Sequence, residues 1–194
     1  MNRVILSAST DETILAVTRQ HKLVDLEIEQ QINTEIVGCI YKGVVKNIVP
    51  AVDGIFVDIG IGKNAFLRRK DLLNEKRFPT EGSPILAQVI KSDTDMKGAL
   101  ITEKISMFGK YAVTLSGTGY IGVSKKIRQE SVRKRLKEIG KEICAEHMGL
   151  IIRTAAENAD MDEFRKDITR LKENWDIIQK RFRMEKSPTL LYRE

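Results

Sequence analysis

Residues 38–105 break into short runs of β-favouring residues, and this run pattern constrains the fold more than any other feature of the chain. GCIYKGVVKNIV at 38–49 reads as a long strand, and Gly43 inside it suggests a bulge or a tight bend. GIFVDIG at 54–60 is a compact strand bounded by glycines, and Ala65-Phe66-Leu67 follows a glycine-containing turn. The stretch 71–84 is polar, with Pro79, Gly82 and Pro84, and reads as a loop. ILAQVIKSD at 85–93 and GALITEKI at 98–105 alternate, with DTDMKG as the turn between them. Five strands over about 70 residues, with tight turns early and a long excursion late, fit a small Greek-key OB barrel. The segment is too short and too β-rich for a parallel α/β sheet.

The flanks read differently. Before the barrel, Ile14 to Thr18 and Leu23 to Ile28 surround a polar break at 19–22 and predict a hairpin, preceded by the short apolar run Val4-Ile5-Leu6. After it, the pattern is α+β. TLSGTGYIGVS at 114–124 predicts strand, turn and strand, and GLIIRTA at 149–155 a buried strand. A basic helix is expected from Ser131, as N-cap, to Gly140, as stop. Asp160 caps a second, longer helix, with Glu163 at the capping-box position. Its apolar residues are Met161, Phe164, Ile168, Leu171, Trp175, Ile178 and Phe182, alternately three and four apart. Such a stripe also suits a coiled coil, but packing on the chain's own sheet is the preferred reading. Pro188 ends the unit.

Charge is unevenly spread. Of a net +6 over 194 residues, residues 1–35 contribute −3, residues 36–107 +3, Lys110 +1 and residues 121–194 +5. The densest block, 124–141, holds eight basic and two acidic residues. It suits either a solvated helix face or a footprint for phosphates. Two cysteines, Cys39 and Cys144, and two histidines, His21 and His147, exclude a disulfide framework and a four-thiolate zinc site, and leave little for a histidine metal centre. Both thiols are expected to be buried and inert. No apolar run reaches the roughly 18 residues of a membrane helix, and the N-terminal apolar stretch, followed by Asp11 and Glu12, is short for a signal peptide. The expected location is cytoplasmic. No Ser–His–Asp set, P-loop or Mg²⁺ site is legible, and Asp93 and Asp95 read as turn chemistry.

Single-stranded nucleic acid on an OB barrel needs flat rings for its bases and cations beside its backbone. Phe56 and Phe66 lie on neighbouring predicted strands, with Lys42, Lys91 and Lys97 on others. Because Phe56 alternates with Val57, one of the two faces outward, and valine is the better core residue.

YKGVVKNIVPAVDGIFVDIGIGKNAFL at 41–67 resembles the S-one-type RNA-binding OB domain in the form found near the start of ribonuclease E/G endoribonucleases. LVDLEIE, MKGALIT, ISMFGKYAV, GVSKKI and GLIIRTA resemble the same family in order, as do the Trp175 helix and the ending PTLLY. The resemblance covers essentially the whole chain. It implies a partial RNase H-like start at 1–35, an OB RNA-binding domain at 36–107 and an α+β 5′-sensor subdomain at 108–194. It implies that Phe56 and Phe66 stack bases and that Lys91 and Lys97 flank the RNA path. Arg153 and Thr154 would grip a 5′-terminal monophosphate, helped by the backbone N–H of Val113.

Two positions depart from a family branch. Ile59 stands where that branch has a third aromatic, and Lys125 where it has an arginine near the phosphate, which keeps the charge but loses the planar fork. The resemblance places the Mg²⁺-binding catalytic aspartates, in a DNase I-like domain, and the zinc-binding cysteines beyond Glu194. The expectation is therefore an RNA-binding, 5′-sensing part of an endoribonuclease, with no catalytic or metal residue and no cofactor of its own, unable to cut RNA alone. Its partner would be single-stranded RNA with a 5′ monophosphate, with homo-oligomerisation expected of the longer protein. The alternative is a stand-alone RNA-binding regulatory or assembly module without nuclease activity.

Overall fold

A computed structural model describes residues 2–8, 12–20, 22–30, 36–94, 97–144 and 148–193. His21, His147, Asp11 and Asp95 lie outside the described residues. The chain forms two compact units, Met1–Ile36 and Val37–Glu194.

The first unit contains three antiparallel strands in the order β1 (Asn2–Ala8), β2 (Glu12–Arg19) and β3 (Lys22–Gln30). The expected hairpin is the β2–β3 pair, in register from Arg19 opposite Lys22 to Glu12 opposite Gln30, with one irregularity at Val17/Thr18. Val4, Ile5, Leu6, Leu23, Val24 and Leu26 on these strands are exposed.

The second unit opens with a closed barrel. Strands β4 (Ile40–Val49), β5 (Gly54–Asp58), β6 (Ala65–Arg68), β7 (Pro84–Lys91) and β8 (Leu100–Thr102) pair in the ring order β4-β5-β6-β8-β7, and β7 returns to β4. This is the expected five-stranded OB arrangement. One long strand serves both sides of the ring: residues 40–44 of β4 pair with β7, and residues 44–49 pair with β5. Gly43 sits at that handover, where an added Cβ would fall 2.5 Å from Val57 Cγ1. The bulge itself lies between Val45 and Asn47 and not at the glycine. Ile55, Val57, Ala65, Leu67, Ala87 and Ile101 are fully buried inside the barrel strands.

The α+β part carries a four-stranded sheet of β9 (Ser106–Phe108), β10 (Ala112–Ser116), β11 (Ile121–Val123) and β12 (Met148–Ile152), in the order β11-β12-β10-β9. The predicted pair at 114–124 exists as β10 and β11, but β12 inserts between them, antiparallel to β10 and parallel to β11. Helices α1 (Glu130–Ile143) and α2 (Met161–Met184) share one apolar core with this sheet, including Leu136, Ile139, Leu150, Ile152, Phe164, Ile168, Leu171 and Ile178. The three-and-four stripe of α2 is thus spent on the chain's own sheet, with Trp175 and Phe182 at its margin.

The expected caps of α1 are corrected. Its N-cap is Gln129, with no side-chain hydrogen bond, and it runs through Gly140 to a C-cap at Cys144. Gly140 is a packing glycine: a Cβ there would come within 3.2 Å of Leu150 Cδ2. Asp160 does cap α2, accepting from the N–H groups of Asp162 and Glu163. After α2 the chain adds β13 (Thr189–Tyr192) beside residues 40–42 of β4, a strand that sequence pattern alone does not reveal. Buried Gln88 on β7 donates to the carbonyls of Gly38 and Ser106 and accepts from the Ser106 N–H, joining the barrel to β9.

Candidate nucleic-acid interface

Paired strands place opposite residues on one face. In the barrel, registers line up Asn47 with Phe56, Phe56 with Phe66, Phe66 with Leu100, and Leu100 with Lys91. These five residues form one row across β4, β5, β6, β8 and β7. Phe56 and Phe66 are half-buried on this face while Ile55, Val57 and Leu67 fill the interior, as alternation predicts. Their rings lie 5.5 Å apart, tilted by 52°. Gly54 makes the arrangement: a Cβ there would sit 2.2 Å from Phe66 Cε2, so the ring lies across the bare backbone. Lys91 and Lys97 are both exposed, and Lys97 exchanges backbone hydrogen bonds with Thr94. Lys63 Nζ donates to the same Thr94 carbonyl at 2.8 Å, which adds a cation beside the turn that leads to β8. The one acidic neighbour of Phe56 on its strand face, Asp58, is paired with Lys46 at 3.3 Å.

Two residues named from sequence fall elsewhere. Lys42 is only 9% exposed; its Nζ donates to the Glu185 carbonyl at 2.7 Å and lies over the Phe182 ring. It ties the barrel to the end of α2 and is not part of the outer row, because strand register at 40–44 turns it toward that helix. Ile59 is 1% exposed and belongs to the core, so it offers no stacking surface.

A second cluster gathers where β12 ends. Arg153 follows β12, and its Nη1 donates to the Gly109 carbonyl at 2.8 Å. Thr154 Oγ1 and Ser124 Oγ are 3.0 Å apart, a hydroxyl pair within reach of a common acceptor. Ser124 is held twice, by its N–H to the Ile152 carbonyl and by Arg133 of α1. The Arg133 guanidinium donates to the carbonyls of Ser124 (2.7 Å), Ile127 (2.9 Å) and Val123 (3.4 Å). Ser124 and Arg133 are absent from the sequence-based set; Arg133 is hidden there within a block of eight similar charges.

Val113 needs a correction. The Arg153 N–H donates to the Tyr111 carbonyl at 2.8 Å, and hydrogen-bonded pairs recur at every second residue of an antiparallel ladder. Val113, opposite Ile151, is therefore such a pair, and its N–H points at β12. What it offers the sheet face is its side chain. The turn beside it is fixed from α2. Buried Asp167 accepts from the N–H groups of Lys110 (3.2 Å) and Tyr111 (2.8 Å). Glu163 accepts from the Tyr111 hydroxyl (2.6 Å) and Lys110 Nζ (3.2 Å), which lowers its pKa below the usual carboxylate value. The Tyr111 hydroxyl, and after it the Glu163 carboxylate, hydrogen-bond the Lys110 ammonium and raise its pKa. Glu163 therefore serves this turn and not the capping box.

Lys125 is exposed in the turn after Ser124. Cys39 is buried, and burial pushes the Cys144 thiol up to about 11, so neither is suited to nucleophilic chemistry. Among the described residues no group of three or more His, Cys, Asp or Glu could hold a metal ion, and no helix is long and apolar enough to cross a membrane.

Comparison with known proteins adds a separate line of evidence. Residues 34–102 match the family model of the S1 RNA binding domain, and residues 106–194 match that of the ribonuclease E/G family. The chain is 33% identical to ribonuclease G of Escherichia coli K12, over 98% of this chain and 42% of that protein. It is 34% identical to ribonuclease G of Haemophilus influenzae, over 92% of this chain and 40% of that protein. Ribonuclease E of Synechocystis is 33% identical over 87% of this chain and 26% of its own length. The chain thus spans less than half the length of these relatives.

Proposed function

Since the chain belongs to the ribonuclease E/G family and carries an S1 RNA-binding domain, we propose that it senses RNA 5′ ends as part of an endoribonuclease of RNA processing and decay. In this reading it acts in the cytoplasm. Single-stranded RNA lies along the row of Asn47, Phe56, Phe66, Leu100 and Lys91, with bases on the two rings and phosphates near Lys63, Lys91 and Lys97. The 5′ monophosphate sits at Arg153 and Thr154.

The observation that carries the sensing half is the fixed geometry at the end of β12. The Gly109 carbonyl holds one Arg153 nitrogen, Ser124 holds the Thr154 hydroxyl, and both supports are themselves anchored. A guanidinium with one N–H engaged keeps its remaining donors for phosphate oxygens, and a compact dianion suits a site of this size. No bond-breaking step is assigned to residues of this chain. Mg²⁺ is expected to serve the longer enzyme's catalytic domain.

The test is the affinity of one short RNA bearing a 5′ monophosphate, hydroxyl or triphosphate. The monophosphate form should bind tightest, and Arg153→Ala should bring the three together. Phe56→Ala should weaken all three by roughly 5- to 100-fold, the worth of one stacked base. Equal affinities in the unaltered protein would overturn sensing and leave only barrel binding.

A further inference from the structure

The device that presents Phe66 recurs in the α+β sheet. Tyr120 is 64% exposed, yet its ring is placed: a Cβ on Gly122 would lie 2.7 Å from Tyr120 Cε1. The ring therefore lies across a bare strand, as Phe66 lies across Gly54. Its backbone is held on both sides, with its N–H donating to Thr118 Oγ1 and its carbonyl accepting from the Leu150 N–H. An exposed aromatic fixed in this way loses little side-chain freedom on binding, which favours it as a contact.

Tyr120 lines a cavity of about 220 Å³ together with Lys125, Lys134 and Lys137. Glu130 and Arg133 complete its charged lining. Arg133 is spent on the carbonyls of the 123–127 turn, and its Nε lies 3.8 Å from the exposed Glu130 carboxylate. The ammonium groups of Lys125, Lys134 and Lys137 have no hydrogen-bond or ion-pair partner among the described residues. Lys134 and Lys137 stand three apart on α1 and so share one helix face. Three unneutralised ammonium groups beside one fixed aromatic ring are the chemistry of a nucleotide subsite: a π-face for a base and point charges for its phosphates.

We propose that this cavity is a second RNA subsite, in which Tyr120 stacks one base near the 5′ end while Lys125, Lys134 and Lys137 contact the adjoining phosphates. It rests on the RNA-binding reading above. Lys125 follows Ser124, which touches Thr154, so the subsite adjoins the candidate phosphate grip along the chain and fits a nucleotide close to the terminus.

The experiment uses the whole chain and a single-stranded 5′-monophosphorylated RNA of about ten nucleotides, with an abasic residue placed in turn at each of the first positions. Tyr120→Ala should lower affinity roughly 5- to 30-fold with unchanged thermal unfolding, and Tyr120→Phe should restore it. One abasic position should weaken the unaltered protein and leave Tyr120→Ala unaffected, the mark of a base on that ring. Lys134→Ala with Lys137→Ala should reduce the salt slope by about 1.4. If Tyr120→Ala binds normally while Arg153→Ala and Phe56→Ala still weaken binding, the subsite is overturned and the proposed function stands. If adenosine or uridine monophosphate binds at Tyr120 and leaves RNA affinity unchanged, the site belongs to free nucleotide and the inference is overturned. If none of these variants alters RNA binding, it fails with the reading on which it rests.

Discussion

Phe66 shows how much a single backbone position decides. The ring is exposed enough to meet a base, yet it is immobilised because Gly54 leaves space for its edge at 2.2 Å from where a Cβ would be. Gly54→Ala must push that ring off the strand and away from Phe56. We expect a stability loss of about 1–3 kcal/mol, as for overpacking, and a several-fold loss of RNA affinity in a protein that still folds. Thermal unfolding and RNA titration of the same variant check this; unchanged affinity would show that the ring position is irrelevant to binding. The outward face of Phe56 was legible from its alternation with Val57, since strand period is local. The place of Lys42 was not. Its strand faces β7 and β13 at once, and its ammonium meets a carbonyl 143 residues away in sequence. A lysine in a β run reads as solvated unless the distant partner is known. The ladder position of Val113 was equally out of reach, because it depends on which residues of β12 stand opposite.

At the scale of elements, the turn from β11 to α1 is the part most dependent on a side chain. Residues 123–127 make few regular bonds, and the Arg133 guanidinium gathers three of their carbonyls. Replacing it by alanine leaves those carbonyls without this donor and removes one of the two ties that keep Ser124 beside Thr154. Arg133→Ala should cost about 2 kcal/mol, the scale of hydrogen bonds to a charged group, and should narrow the preference for a 5′ monophosphate over a 5′ hydroxyl. Barrel binding should persist, so RNA affinity at the hydroxyl end changes little; a variant that lost both equally would contradict the division of labour. The long helix was legible nearly to the residue, because its stripe and the Asp160 cap are both local signals. The short helix was misread at both ends. Ser131 and Gly140 are good cap residues in isolation, but packing of α1 on Leu150 and Ile121 carries the helix past the glycine, which is there to allow close approach. Tertiary contact overrode propensity.

Over the whole molecule, the five strands of the barrel followed from sequence pattern, while its joining to the α+β part did not. That joining depends on Gln88, β13 and Lys42, each of which acts between segments far apart in the chain. The overall charge of +6 is a poor guide to binding for a related reason: many cations are already neutralised within the fold. Arg165 is paired with Glu142 at 3.0 Å and Lys172 with Asp176 at 2.9 Å, whereas Lys91, Lys97, Lys125, Lys134 and Lys137 have no such partner among the described residues. Counterion release depends on charges that meet phosphate, with a slope of about −0.7 per contact for a single strand. With Lys63 and Arg153 added, about seven contacts predict a log–log salt slope near −5. Lys91→Ala combined with Lys97→Ala should make it shallower by about 1.4. Arg165→Gln lowers the net charge by one but removes a cation that Glu142 already neutralises, so it should leave the slope unchanged. Titrations of one RNA at several salt concentrations separate the two accounts. A slope that followed net charge, and moved as much for Arg165→Gln as for a barrel lysine, would mean that RNA is attracted by the molecule's general field and not held along a defined path.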